Sequence, residues 1–162
     1  MNLGVRGLVV AVAVQLGAGT AVAQAFRFVP TVQPEVTAGI IGGAKSVAVA
    51  GAGLNVPAGY YVRAAAIIAA GRELGANPGT VARAELAARF LADPFAEWRW
   101  GPYAGAGIAV EAGEGRRSRT ALIFFVGTEI PRRTGWVPAV ELGFGGGARL
   151  AVVLRRTRRA GR

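Results

Sequence analysis

The sequence predicts an all-β fold, a closed antiparallel up-and-down barrel of about eight strands that crosses a membrane. Three observations favour it: an apolar N-terminal leader, apolar segments of about ten residues between turn-forming clusters, and an alternation of apolar with small or charged residues inside those segments. Because a strand sends successive side chains to opposite faces, the alternation gives each strand one apolar face and one mixed face. The length of 162 residues fits a single domain.

Residues 1–25 have the features of a secretory signal peptide. Arg6 supplies a positive start, GLVVAVAVQLGAG is an apolar stretch shorter than a membrane-spanning helix, and AVA and AQA (21–25) offer small-x-small cleavage sites. An uncleaved membrane anchor is the alternative for this segment. We therefore expect an exported chain with a barrel domain over residues 26–156 and a basic tail at 157–162.

The composition excludes several kinds of chemistry. The chain contains neither cysteine nor histidine, which excludes disulfides, Ser-His or Cys-His nucleophile pairs and ordinary zinc or copper sites. Ser46 and Ser118 have no evident base beside them, so we expect no catalysis, no metal and no cofactor. The formal charge of +10 is concentrated near the C-terminus and in short arginine runs, which favours anionic lipid head groups over nucleic acid as a partner.

Clusters of glycine, proline and charged residues divide the chain after the leader. The segment at 35–42 is needed as a first strand, because it makes the strand number even and places PAG (57–59) at a tight periplasmic turn. The segments at 60–71 and 80–92 also fit helices, since alanine and leucine are good helix formers and Thr80 is a suitable N-cap. The candidate strands are 35–42, 46–56, 60–71, 80–92, 98–111, 119–130, 136–144 and 147–156.

The alternation is clearest in the second half of the chain. In 119–130 the even positions carry Leu, Phe and Val, whereas Arg119 and Glu129 stand among the odd ones, and the neighbouring segments divide in the same way. An eight-stranded barrel has an interior just wide enough to be filled by side chains, so the mixed face predicts a plugged lumen in which opposite charges pair. The charged residues expected inside are Arg63, Arg83, Glu85, Arg89, Glu111, Arg119, Glu129, Glu141 and Arg149.

Aromatic side chains cluster around the three turns that the scheme assigns to the periplasm. Their rings are apolar while the N–H of Trp and the O–H of Tyr seek water, so these residues favour the boundary between membrane and water. The turns at the other end are almost free of aromatics, although GGG (145–147) is tight where a longer loop is expected. The predicted interfacial girdle consists of Tyr60, Tyr61, Phe95, Trp98, Trp100, Tyr103 and Trp136.

Arg116 and Arg117 lie in a longer turn at 112–118. Guanidinium groups match phosphate bidentately, so contact of this loop with lipid phosphate is one hypothesis, and a solvated run of charge is the other. The expected partners are outer-membrane lipid and surface molecules that the outer loops reach.

The leader, the alternation and the stretches WRWGPYAGAGIAV and GWVPAVELGFGGGARLAVVL together resemble the small bacterial outer-membrane β-barrel family of the OmpX/OmpA type. The resemblance implies a place in the outer membrane of a Gram-negative cell envelope. The chain departs from the family pattern at its end, LAVVLRRTRRAGR, which lacks the terminal aromatic that such barrels commonly carry. The expected function is that of an integral barrel with a structural or interaction role. The alternative is a soluble exported β-barrel with an apolar ligand inside. In that barrel the apolar face of each strand lines the cavity and the charged face meets water.

Overall fold

The computed structural model describes residues 31–43, 46–76, 78–114, 117–132 and 134–157. These residues form a closed antiparallel barrel of eight strands, which confirms the predicted fold, and the first strand pairs with the last to close the ring. No helix within them has the length and apolarity to cross a membrane. The predicted signal peptide and residues 158–162 of the basic tail lie outside the described residues. The strands are β1 (Gln33–Gly42), β2 (Val47–Pro57), β3 (Val62–Glu73), β4 (Thr80–Leu91), β5 (Gly101–Gly113), β6 (Arg119–Glu129), β7 (Gly135–Phe144) and β8 (Ala148–Thr157).

The two segments whose sequences also fit helices are the strands β3 and β4. They pair along almost their whole length, from Val62 opposite Phe90 to Arg72 opposite Thr80. Helix propensity differs among ordinary residues by only about 0.7 kcal/mol or less per position. A helix in place of β4 would open the barrel and leave β3 and β5 with unpaired edges, so the tertiary pairing outweighs the local preference.

The connections at one end of the barrel carry most of the exposed aromatic side chains. This aromatic end is formed by the β2–β3 turn (58–61), the β4–β5 loop (92–100) and the β6–β7 turn (130–134), together with the starts of β1 and β7 and the end of β8. The β1–β2, β3–β4, β5–β6 and β7–β8 connections lie at the opposite end. Both ends of the barrel chain therefore lie at the aromatic end.

The predicted strand at 98–111 begins three residues later than expected, at Gly101. The carboxylate of Asp93 accepts hydrogen bonds from the backbone N–H of Glu97 at 3.1 Å and of Trp98 at 2.7 Å. These bonds close a loop between Ala92, whose N–H donates to the Pro102 carbonyl at 3.0 Å, and the start of β5. The loop keeps Trp98 out of the sheet and holds it at the barrel rim.

The β7–β8 connection is as tight as its three glycines indicate. Gly146 adopts a φ of 83°, a left-handed conformation that a side chain disfavours, and the Gly145 N–H donates to the Gly147 carbonyl at 2.9 Å. β6 pairs with β7 only over Phe124–Glu129, so the hairpin of β5 and β6 extends past this short turn.

Large apolar side chains point out of the barrel around its circumference. Ile68 on β3, Leu122 on β6 and Phe144 on β7 are 74%, 65% and 69% exposed. The interior combines charged groups with apolar side chains of small or medium size. Its buried apolar members include Ile41, Val47, Ala65, Ile67, Val81, Ala109, Ile123, Phe125, Val137, Ala139, Ala151 and Val153.

Candidate functional site

A continuous chain of ion pairs runs through the interior from the aromatic end to the opposite end. Each arginine contacts one or two glutamates and each glutamate contacts two arginines, at N–O distances between 2.5 and 3.5 Å. Alternation of sign along the chain offsets the cost of burying each charge. In order, its members are Arg63, Glu129, Arg155, Glu35, Arg89, Glu141, Arg149, Glu85, Arg83, Glu111 and Arg119.

Glu35 and Glu141 are the most deeply buried carboxylates of this chain. Glu35 accepts hydrogen bonds from Arg89 at 2.9 and 3.1 Å, from Arg155 at 3.4 Å and from the Asn55 amide at 3.1 Å. Glu141 accepts from Arg89 Nε at 3.1 Å. Glu35 and Glu141 are 1% and 0% exposed, so both carboxylates depend on these donors in place of water.

Tyr103 lies inside the barrel, which corrects its assignment to the interfacial girdle. Its side chain is 4% exposed, and its hydroxyl donates to Glu141 Oε1 at 3.0 Å. Parity is the reason, because Tyr103 shares a face of β5 with Gly105 and Gly107 and with the buried Glu111. The ring lies over Gly127 of β6, where a Cβ would come within 2.6 Å of the tyrosine Cζ.

Phe125 occupies the interior beside the middle of the ion-pair chain. Its ring meets that of Tyr103 edge to face at 6.4 Å between centroids, and the guanidinium carbons of Arg149 and Arg89 lie 5.2 and 5.7 Å from its centroid. Opposite it, a Cβ on Gly105 would lie only 2.2 Å from the ring. The glycine of β5 therefore provides the space that the phenylalanine of β6 occupies.

The structure places the nine charged residues predicted for the interior as follows. Arg83, Glu85, Arg89, Glu111, Glu129, Glu141 and Arg149 are buried, Arg63 is half-buried at the aromatic end, and Arg119 is exposed at the opposite end. The side chain of Arg119 is 49% exposed because Arg119 is the first residue of β6. It still donates a hydrogen bond to Glu111 at 2.8 Å. All nine belong to the one ion-pair chain.

Three members of the interior network escaped the sequence analysis: Glu35, Asn55 and Arg155. Each has the inward parity of its strand, and Arg155 stands in the same alternating series as Arg149. Glu35 lies in the segment with the weakest strand pattern. Arg155 borders the basic tail, where an arginine is expected to be a solvent-exposed charge. Extending the alternation to the ends of β1 and β8 predicts that Glu35 and Arg155 point inward.

The remaining residues of the predicted girdle are exposed at the aromatic end. Tyr60 and Tyr61 lie in the β2–β3 turn and contact Phe95 of the neighbouring loop, with centroid distances of 5.8 and 6.3 Å. The exposed fractions of Tyr60, Tyr61, Phe95, Trp98, Trp100 and Trp136 range from 45% to 60%. These side chains form a rim of aromatic groups around one opening of the barrel.

The sequence also predicts a contact between lipid phosphate and two arginines, Arg116 and Arg117, at the opposite end of the barrel. Arg117 is exposed in the β5–β6 connection, and Arg116 lies outside the described residues.

The interior glutamates are bonded to arginines, and the described residues contain no cluster of acidic side chains suited to hold a metal ion. Hydrogen-bonded charges packed in this way are suited to fixing the shape of the barrel interior.

No family model matches the chain, and no curated protein matches it. Among solved structures, the chain is similar to the N-terminal β-barrel domain of Pseudomonas aeruginosa OprF, with 17% sequence identity and a TM-score of 0.49. The match covers 78% of this chain and 98% of the other.

Proposed function

We propose that this chain is an integral outer-membrane β-barrel protein with a plugged, charge-paired lumen. Its role is structural or one of interaction through the loops opposite the aromatic end, without catalysis. In this proposal residues 1–25 direct export and are removed, residues 26–156 form the barrel, and the basic tail follows. Arg117, with Arg116, would meet lipid phosphate or a surface partner outside the cell.

The observation that supports membrane insertion is the distribution of polarity. Charged groups are inside the barrel and large apolar side chains are outside, in a continuous surface from Leu122 to Phe144 and on to Leu150 and Leu154. Soluble monomers rarely expose apolar patches beyond a few hundred Å². A lipid-facing barrel has this distribution, with aromatic residues at the interface. The soluble alternative needs an apolar interior, whereas the interior here contains the ion pairs.

The plugged lumen rests on the packing of the barrel's middle. Ile123, Glu141 and Val153 are 0% exposed, and Phe125 with Tyr103 fills the space over the glycines of β5 and β6. Side chains of this size leave a narrow barrel filled. We therefore expect no passage of solutes through the folded barrel.

Envelope fractionation with a heat-modifiability gel tests the proposal. We expect the protein in the outer-membrane fraction, and we expect unboiled, detergent-solubilised samples to migrate differently from boiled ones because the closed barrel resists detergent. Release with the soluble periplasmic proteins and a single gel position would overturn the proposal.

Phe124→Arg should separate a lipid-facing from a water-facing surface. Phe124 is 56% exposed in the middle of β6, and an arginine at the bilayer midplane costs about 2–4 kcal/mol of folding free energy. In a soluble barrel the same exposed substitution should change stability by no more than about 0.5 kcal/mol. Denaturant titration of protein folded into lipid vesicles measures the difference.

Thr120→Arg is the matched control, because Thr120 lies on the same face of β6 near its end. Its cost near the interface should be about 0–1 kcal/mol. Equal effects at both positions would contradict a surface with a depth-dependent lipid contact.

A further inference from the structure

A cavity of about 490 Å³ opens at the aromatic end, between the β4–β5 loop and the β6–β7 turn. Its volume is within the range of small-molecule sites, about 300–1,000 Å³. Its floor is the first part of the ion-pair chain, with Arg63, Glu129 and Arg155, and its rim carries Trp98, Arg99 and Arg132.

The charge around this mouth cavity is unbalanced. Four arginines and two carboxylates line it. Both oxygens of Asp93 accept backbone N–H groups of its own loop, and both oxygens of Glu129 accept from Arg63. Arg99 and Arg132 are exposed and form no ion pair with any described residue. Two guanidinium groups therefore face this opening without a counterion from the described chain.

The rim is held in place before any ligand arrives. The hydrogen bonds of Asp93 fix the loop up to Trp98, and Ala96 adopts a left-handed φ of 56° within it. Trp98 is 58% exposed, so it presents an aromatic surface beside the arginines. On the floor Arg155 is 1% exposed, and its Nη2 has no hydrogen-bond partner among the described residues, which leaves one N–H donor group there unsatisfied by the protein.

We propose that the mouth cavity binds a phosphate group, held by the guanidinium groups of Arg99 and Arg132 next to Trp98. Guanidinium groups bind phosphate bidentately through two parallel N–H bonds, which favours this anion over chloride. The phosphate comes either from a lipid head group at the membrane surface or from a soluble phosphate ester. Binding of the soluble form does not require a membrane, so this proposal and membrane insertion fail independently.

Trp98 fluorescence tests the proposal in the folded, full-length barrel solubilised in octyl glucoside, a detergent without phosphate. Trp100→Phe and Trp136→Phe leave Trp98 as the one tryptophan. Inorganic phosphate, added at constant ionic strength against sodium chloride, should change its emission saturably. Arg99→Gln with Arg132→Gln should raise the dissociation constant at least about tenfold, which corresponds to about 1.4 kcal/mol, because it removes both charge-assisted contacts to the phosphate.

Arg72→Gln with Arg156→Gln is the matched control, since it removes the same charge from exposed positions that do not line the cavity. Its dissociation constant should equal that of the parent. Phosphatidylglycerol in mixed micelles forms the second arm of the experiment. Saturation by inorganic phosphate supports a soluble source, and saturation by phosphatidylglycerol alone supports a lipid head group. No saturable change with either probe, or the same change in both double variants, would overturn the proposal.

Discussion

Replacing Glu35 with leucine is expected to lower the free energy of unfolding by about 3–5 kcal/mol, the range for removing one partner of a buried ion pair. Glu35 is 1% exposed and accepts hydrogen bonds from Arg89, Arg155 and Asn55. After the change Arg89 keeps its ion pair with Glu141, and Arg155 keeps its ion pair with Glu129. Both guanidinium groups are 1% exposed, so water cannot replace the carboxylate that each of them loses. Denaturant titration in lipid vesicles or detergent gives the value.

Glu111→Leu is the comparison for this prediction, because Glu111 is a buried glutamate near the opposite end. Its partner Arg119 is half exposed, and its partner Arg83 keeps Glu85 at 2.6 Å. Water and the remaining carboxylate compensate, so the loss should be smaller than for Glu35. Glu35→Leu combined with Arg155→Met should recover stability, because an apolar pair avoids the desolvation of both charges. A loss under about 1 kcal/mol for Glu35→Leu would contradict a dry, charge-paired interior.

Phe125→Ala is expected to cost about 3–5 kcal/mol, the range for truncating a buried aromatic side chain and leaving a cavity. Phe125 is 5% exposed and contacts the ring of Tyr103 and the guanidinium groups of Arg89 and Arg149. The protein interior cannot collapse freely around the gap, because the surrounding backbone is fixed in a closed sheet. The free energy of unfolding of the folded barrel measures the effect.

Gly105→Val supplies the complementary substitution. Alone, it should destabilise the barrel by about 1–3 kcal/mol through overpacking, since its Cβ would meet the Phe125 ring at 2.2 Å. Combined with Phe125→Ala, the valine enters space that the ring has left, so the double variant should be more stable than the sum of the single losses predicts. Additive losses would show that these two residues do not share one space.

Strand positions and faces were predictable from the sequence because they depend on local alternation. The ladder β3–β4 and the inward direction of Arg83, Glu85 and Arg89 follow from parity once a strand is assumed. The choice of strand over helix at 80–92 could not be made locally, since it depends on whether β3 and β5 find a partner between them. The start of β5 depended on hydrogen bonds of one carboxylate, that of Asp93, which alternation does not indicate.

The sequence could not predict which charged side chains form ion pairs with one another inside the barrel, and the reason is geometric. Parity gives the direction of a side chain, whereas the stagger of the strands around the ring decides which side chains share a height. Arg155 reaches both Glu35 of β1 and Glu129 of β6, and nothing in the spacing of these residues predicts that meeting. For Tyr103 the alternation alone indicates the correct inward direction. The assignment to the interfacial girdle was wrong because it followed the general preference of tyrosine for membrane interfaces instead.

The bond between Glu35 and Arg155 also has a consequence for the order of assembly. These residues are 120 positions apart, on the two strands that close the ring. In an open sheet in which β8 had not yet paired with β1, Glu35 would lack Arg155 and would keep only Arg89 of β4 and Asn55 of β2. Removing one partner of a buried ion pair costs about 3–5 kcal/mol. Closure of the ring should therefore be cooperative with packing of the interior, because β8 brings the second arginine of Glu35.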